Sequence, residues 1–532
     1  DVPTLTDEDT ANFAVLNPLG TNDISTFSEA NLKVTTGSGA STTGTTFAMS
    51  SGKWYAEFVC TAKTSVNMYI GLVEASTFDG DNQGDEGTNN GYIYSNTGNI
   101  YHGFANEAYG ASWTVGDVMA IAFDADKRNV TFYKNNVSQG VYTRIASENT
   151  GGNWLMVVSE GQGAATATFV ANFGQRPFAY TPPTGYLKLN TFNLPDSSIV
   201  DGSEYMDATL YTGNTPSSQT ITNASGFQPD FVWLKGRSIA YDHYLWDSVR
   251  GAGIALFSTG TSAESNYGTS IQNFTSTGFS IGNNLGINNS GSTYVGWQWK
   301  AGGTAVSNTD GTITSQVSAN PTAGFSIVSY TGNGVVGATI GHGLNSVPKM
   351  IFTKSRDETD AWIVYNATLG AGSLIQLNNT NAAISNDHYP TSPTSSVYYV
   401  NSFGSVNASS EKYIAYCFAD VEGYSKIGSY TGNGSADGPF VYTGFRPAFM
   451  LFKRTDAAND WYMYDSARDE YNLTTQQLYP NLAYAEAANN NSLDLLSNGF
   501  KIRTTGAALN TSGGTFIYMA FAENPFKNSL AR

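Results

Sequence analysis

An all-β protein of several domains is what this sequence predicts, and three observations carry that expectation. Apolar and polar residues alternate over short runs bounded by Gly, Asn and Pro, the period of half-buried strands. Charged residues are only 13 % of the chain, so the polar surface is built from Ser, Thr, Asn and Gly, which favour strands and turns over long exposed helices. One pattern of landmarks recurs three times in the second half. At 532 residues the chain is too long for a single core.

The first 180 residues justify the strands in order. Gly52-Lys53-Trp54-Tyr55-Ala56-Glu57-Phe58-Val59 places Trp54, Ala56 and Phe58 on one face of a strand, and Tyr69–Val73 forms a second. Residues 116–124 and Asn129–Asn136 read as a hairpin closed by a turn over Ala125–Arg128. Trp154–Ser159 and Thr166–Asn172 complete the sheet.

The repeated pattern opens with Tyr211-Thr212-Gly213-Asn214, Tyr330-Thr331-Gly332-Asn333 and Tyr430-Thr431-Gly432-Asn433. A proline then leads into a strand whose lysine follows it by six residues in each copy: Pro229 and Lys235, Pro348 and Lys354, Pro447 and Lys453. A second strand holds His243–Ser248, Trp362–Asn366 or Trp461–Ser466. A Gly-Phe hairpin signal stands at Gly278-Phe279 and Gly499-Phe500, with a blurred counterpart near Phe403-Gly404. Each copy closes on an aromatic strand: Tyr294–Trp299, Tyr413–Phe418 and Phe516–Phe521. The spacing of about 100–120 residues exceeds that of a solenoid, so each copy is expected to form its own antiparallel β-sandwich. The domains are therefore drawn as 1–180, a sandwich with an N-terminal lead-in; 181–205, a linker; 206–303, 323–424 and 425–532, three β-modules; and 304–322, a linker between the first two. Helix is expected only over Thr475–Ala488, where Pro480 weakens it.

The formal net charge of −17 sets nucleic-acid binding aside. No run of 18 apolar residues predicts a membrane span, and membrane insertion is not expected. Cys60 and Cys417 read as small buried hydrophobes. The chain opens at Asp1 without Met, which fits an upstream piece cleaved or left out of this numbering.

Five blocks in order carry a family resemblance: Gly-Lys-Trp-Tyr-x-Glu from Gly52, Ile70-Gly71-Leu72, Gly116-Asp117-Val118 followed by Ala122-Phe123-Asp124, Thr131-Phe132-Tyr133-Lys134-Asn135-Asn136, and Asn172-Phe173-Gly174. Together they resemble a SPRY domain. That resemblance implies a bent, concanavalin-like β-sandwich with binding loops at one end and no enzymatic activity. Asn172–Phe178, Pro182–Tyr186 and Phe521–Phe526 are similar to phage-encoded SPRY-like proteins, in which such modules sit beside repeats in tail fibres and other virion appendages. The resemblance thus implies a virion-surface or extracellular adhesin that recognises a host surface glycan or protein. It also implies other virion proteins as partners and a homotrimer as the favoured assembly. The rival expectations are a structural virion component, either capsid decoration or head fibre, and a secreted glycan-degrading enzyme.

Loop position nominates Phe78, Asp79, Asp81, Tyr94, His102 and Trp113 as ligand contacts. Asp79, Asp81, Asp85 and Glu86 in a Gly-rich loop are a candidate Ca²⁺ cradle, although Asn90 breaks the EF-hand spacing. No other cofactor is expected. His243 stands where the other copies have Trp362 and Trp461, and reads as packing. There is no nucleophile elbow, P-loop, dinucleotide fingerprint or zinc-protease motif, so no catalytic residue is assigned. Asp247 with Arg250, and Asp465 with Arg468, read as surface ion pairs fixing a turn. Lys235, Lys354 and Lys453 read as edge guards.

Overall fold

The computed structural model describes the chain apart from residues 1–6, 9, 21–24, 38–40, 65–66, 79, 81–90, 103–104, 144–151, 162–165 and 529–532. The chain divides into two compact units: Asp1–Asp196 with Pro439–Gly444 and Lys527–Ala531, and Ser197–Gly438 with Phe445–Phe526 and Arg532. Strands make up 46 % of the protein and helix 4 %, so it is all-β.

The first unit contains strands β1 (Thr26–Ser28), β2 (Lys33–Thr35), β3 (Thr42–Gly44), β4 (Lys53–Lys63), β5 (Met68–Glu74), β6 (Gly91–Ser95), β7 (Asn99–His102), β8 (Ala105–Ala108), β9 (Val118–Asp124), β10 (Asn129–Lys134), β11 (Val137–Tyr142), β12 (Trp154–Glu160), β13 (Ala167–Asn172) and β14 (Leu187–Lys188). One sheet runs β1-β2-β13-β4-β9-β10-β11 and the other β3-β12-β5-β6-β7-β8. The expected hairpin is present, with Asn129 opposite Asp124. Trp54, Ala56 and Phe58 are buried together, as their shared face requires.

The other face of β4 explains the acidic residue of its motif. The Glu57 carboxylate accepts the Ala179 N–H at 2.7 Å and the Tyr180 N–H at 2.9 Å, while Tyr55 meets Phe178 edge-on at 4.9 Å. This pins the return segment over the sheet, and β14 then pairs in parallel with Trp54 and Tyr55. The residues 181–205 expected to be a linker therefore begin as part of the first unit. Polar residues and three prolines hide that role from periodicity.

In the second unit each copy repeats one sheet order: opening strand, closing strand, lysine strand, second strand. The opening strands are Met206–Thr212, Phe325–Thr331 and Ser425–Thr431. The closing strands are Thr293–Trp299, Lys412–Phe418 and Thr515–Pro525. The lysine strands are Phe231–Gly236, Met350–Ser355 and Phe445–Arg454, and the second strands are Tyr244–Asp247, Ile363–Asn366 and Trp461–Asp465.

The Tyr-Thr-Gly-Asn motif builds the same corner three times. Its tyrosine hydroxyl donates to a carbonyl in a one-turn helix, Ile287, Val406 or Leu509. Its glycine passes so near that helix that a Cβ would stand 2.2–2.3 Å from the Asn289, Ala408 or Thr511 carbonyl. Its asparagine N–H donates to a buried partner amide, Asn288, Asn407 or Asn510.

The copies are not separate domains. They close a ring in which each docks on the one before it by equivalent contacts. Glu264 N–H donates to Arg356 O, Ala383 N–H to Thr455 O, and Glu486 N–H to Arg237 O, which links copy one to two, two to three and three to one. The Trp362 indole N–H donates to Phe257 O and the Trp461 indole N–H to Gln376 O. On the pseudo-threefold axis Trp299, Phe418 and Phe521 meet pairwise at 5.9–6.4 Å. Each copy also keeps its own core, such as Val232, Trp246 and Phe279 in copy one and Val328, Ile351 and Tyr398 in copy two.

Several expectations change with this geometry. The supposed linker 304–322 holds strands Val306–Asn308 and Ser315–Asn320, which extend the sheet of copy two. Thr475–Ala488 forms no helix; strands at Thr474–Gln477 and Ala487–Leu496 flank it. Phe403-Gly404 starts a one-turn helix and makes no hairpin. Cys60 and Cys417 are buried and free, and His243 packs flat against Trp297 with the Trp233 indole N–H on its Nδ1 at 2.9 Å.

The three lysines guard no edge; they are fully buried. Lys235 Nζ donates to Gly236 O and Ala483 O, Lys354 Nζ to Ser355 O and Glu358 O, and Lys453 Nζ to Thr380 O and Asn459 O. Burial pushes each ammonium down to about 8, against a partial pull upward from nearby carboxylates. Between pH 8 and the usual lysine range near 10.4 the unfolded chain holds more protons, so stability rises with pH. Above pH ~10 the order reverses, because tyrosines such as Tyr330, Tyr430 and Tyr464 are held protonated by burial and ionise first in the unfolded chain. Urea unfolding of the second unit should therefore show a stability maximum near pH 9–10, at least ~1 kcal/mol above pH 7.5. A profile that falls from pH 8 to 9.5 would contradict the buried-lysine account.

Candidate functional site

The two sheets of the first unit end side by side at the edge strands β8 and β11. Aromatic side chains fill the gap between them. On β6 and β7, Tyr92 lies opposite His102 in the ladder, and their rings stack at 6.3 Å and 12°. Tyr142 of β11 leans on both at 6.0 Å. Tyr109 stands edge-on to Tyr94 and Tyr142. Such packing joins two edges rigidly without a loop between them.

The polar tips of these rings point to the rim. Tyr142 Oη donates to Glu107 Oε1 at 2.9 Å, and His102 Nε2 lies 3.6 Å from the same oxygen. Tyr109 Oη donates to Gly140 O. Gln139 Oε1 accepts the Ala111 N–H at 2.7 Å, and its Nε2 donates to Val137 O at 2.7 Å. Gly140 sits in a bulge at φ +103° with open space where a Cβ would stand, so its backbone angle, not crowding, calls for glycine. On this rim Ala105, Asn106, Ala108, Ser138, Val137 (64 % exposed) and Val141 (60 % exposed) meet solvent, with Val137, paired to Lys134, and Val141, paired to Thr131, on opposite faces of β11. Two exposed valines on an edge strand, beside a partly exposed carboxylate at Glu107, can take apolar side chains and hydrogen-bond donors from a protein partner.

Of the nominated contact residues, Tyr94 and His102 lie behind this rim, not on it. Tyr94 is buried on a central strand; its hydroxyl donates to Ala111 O at 2.5 Å, and burial raises it far above the ordinary tyrosine range. Trp113 is buried, with no partner for its indole nitrogen among the described residues. His102 is buried beneath Glu107. Phe78 is half-buried and fills the space over Gly20 and Gly44. Tyr94 and His102 belong to strands and not to loops, whereas Phe78 and Trp113 do lie in connecting segments but turn inward, because large aromatics beside a sheet bury area. Asp79, Asp81, Asp85 and Glu86 lie outside the described residues. Among the described residues no group of three or more His, Cys, Asp or Glu could hold a metal, and no helix is long and apolar enough to cross a membrane. The exposed valines were missed because Val137 and Val141 fall four apart across a bulge, which breaks the two-residue alternation.

The family model for the SPRY domain matches residues 53–176, from the start of β4 to just beyond β13. Residues 53–176 of the first unit are a SPRY domain. A second family model, DUF7483 (Domain of unknown function), matches residues 201–525, which is more than half of the chain. The chain belongs to the DUF7483 family. The DUF7483 match spans the pseudo-threefold unit almost end to end, so the ring and not a single copy corresponds to the family's domain. A curated relative of the SPRY portion is the E3 ubiquitin-protein ligase RKP of Arabidopsis thaliana, 29 % identical over 139 residues, or 26 % of this chain. The match spans 10 % of that relative's length. Among solved structures, the SPRY domain of human HERC1 is 16 % identical, covering 30 % of this DUF7483 chain and 99 % of that one, with a TM-score of 0.27. The TRIM65 PSpry domain is also 16 % identical, covering 30 % and 93 %, with a TM-score of 0.24.

Proposed function

We propose that this chain is a non-catalytic adhesin of a phage virion appendage, whose SPRY rim binds a host surface protein or glycan. The observation that carries the binding role is the β8–β11 rim: exposed Val137 and Val141 on an edge strand, backed by the buried Tyr92–His102–Tyr142–Tyr109 cluster. A stiff support lets exposed groups bind without ordering costs. The virion setting rests on the resemblance of Asn172–Phe178 and Phe521–Phe526 to phage-encoded chains. Other virion proteins would anchor it, and a homotrimer is the assembly this setting favours.

The test is saturable binding of the labelled chain to a panel of intact bacteria, and to their purified envelope glycans and surface proteins. At least one target should bind, and Val141→Asp should weaken binding at least tenfold, because a carboxylate on the rim opposes an apolar contact. Binding to no member of the panel, or binding indifferent to the substitution, would overturn the proposal. The closed ring of three copies favours a second reading, a spacer in the capsid or head fibre. Antibody labelling on the capsid instead of the tail would select it.

A further inference from the structure

The opening strand is the outermost of the four shared strands in every copy, and the three copies treat its free edge differently. In copy two, Ala419 N–H donates to Gly324 O and Gly332 N–H to Glu411 O, so even-numbered residues face the closing strand. Odd-numbered residues face outward, and Ser315–Asn320 covers them: Asn320 lies opposite Phe325, Ser318 opposite Ile327 and Gln316 opposite Ser329. In copy three the chain's own turn caps the equivalent edge. Ser425 N–H donates to Val421 O at 2.8 Å, and Ile427 N–H to Asp420 Oδ1 at 2.8 Å.

Copy one has neither a covering strand nor a turn; Gln219 Nε2 donates to the outward Thr212 carbonyl at 3.0 Å and the Asp207 carboxylate accepts the Ala208 N–H, which leaves the Leu210 N–H and C=O and the Ala208 C=O at the middle of the edge. Lys300 N–H donates to Tyr205 O and Gly213 N–H to Ser292 O, so Ala208 and Leu210 turn their backbone groups outward. No strand among the described residues pairs with that edge, and the Leu210 side chain is 39 % exposed. We propose that the outer edge of Met206–Thr212 takes an extended, uncharged strand of a separate polypeptide, antiparallel to it, in the place that Ser315–Asn320 fills in copy two. The chemistry of the occupant is read from that internal example. Ser-Gln-Val-Ser-Ala-Asn carries no charge, buries Val317 and satisfies the edge through its backbone. The internal example pairs this edge with a different sequence, Ser315–Asn320, and not with a second opening strand, so a second copy of Met206–Thr212 is the rival occupant that the experiment distinguishes.

The experiment titrates the full chain into a fluorescent peptide of residues 313–322, Ile-Thr-Ser-Gln-Val-Ser-Ala-Asn-Pro-Thr, and reads anisotropy. Saturable binding is expected. Leu210→Pro should weaken it at least tenfold, since proline removes an outward N–H that the fold itself does not use. Leu210→Lys is the second variant; it sets a charge on the edge without touching the backbone, and circular dichroism checks that both variants fold. Absence of saturable binding at millimolar protein, or binding that both folded variants leave unchanged, would overturn the proposal. So would a concentration-dependent dimer that Leu210→Pro abolishes while the peptide fails to bind, because the edge would then serve self-pairing.

Discussion

Trp299→Ala is expected to destabilise all three copies of the second unit together, by about 3–5 kcal/mol. Trp299 belongs to copy one, yet it is almost fully buried against Phe418 of copy two and Phe449 and Phe521 of copy three, besides Phe231 of its own copy. Its removal leaves a cavity on the axis that no single copy can close by moving alone. Urea unfolding followed by hydrogen exchange on the strands Lys412–Phe418 and Thr515–Pro525 checks this. Protection should fall in both, with one shifted transition. Loss confined to copy one, or a shift below ~1 kcal/mol, would show that the copies unfold independently.

Arg468→Leu is expected to cost about 3–5 kcal/mol, and adding Asp465→Asn should recover most of it. Arg468 Nε donates to Asp465 Oδ2 at 2.6 Å, its Nη2 to Met463 O at 3.0 Å and its Nη1 to Glu486 Oε2 at 3.0 Å. The Trp297 indole N–H of copy one reaches the same Asp465 oxygen at 2.9 Å. Burial alone would raise the Glu486 carboxyl, but the Arg237 and Arg468 guanidiniums outweigh it and hold it below the usual range. Without Arg468, Asp465 becomes a buried charge lacking its cation. The double change copies what copy two already does: Asn366 stands at the Asp position and Leu369 three residues on. Asn366 Oδ1 still accepts the Thr368 N–H, while its Nδ2 has no partner among the described residues. Equilibrium unfolding of the single and double variants measures the coupling. Equal destabilisation in both would count against the buried-charge argument.

These pairs also show how far the sequence could be read. The turn chemistry of Asp247 and Asp465 was legible, since each Oδ1 does accept the Arg N–H three residues on. Their burial was not, because what buries them comes from another copy: Tyr416 Oη donates to Asp247, as Trp297 does to Asp465. The recurrent lysines and tryptophans were visible as landmarks, but a landmark that serves a seam looks the same in sequence as one that serves its own sandwich. Strands with strict alternation, such as Trp54–Val59, were placed correctly. Ser315–Asn320 was lost as linker because it is polar on both faces apart from Val317 and Ala319. The rim of the first unit was hidden for a related reason. Aromatic residues near a predicted loop suggest contact with a ligand, yet the surface they support is made by small and aliphatic neighbours.

The pseudo-threefold ring has an evolutionary consequence. A trimer assembled from identical subunits must accept every substitution in triplicate, so a change useful at one lobe is imposed on the other two. Three lobes written into one polypeptide are free of that constraint. Copy two has Leu369 where copies one and three carry the arginine clamp, and its sheet holds extra strands. Lobes related by geometry alone can drift toward three different surfaces while their shared axis stays the same.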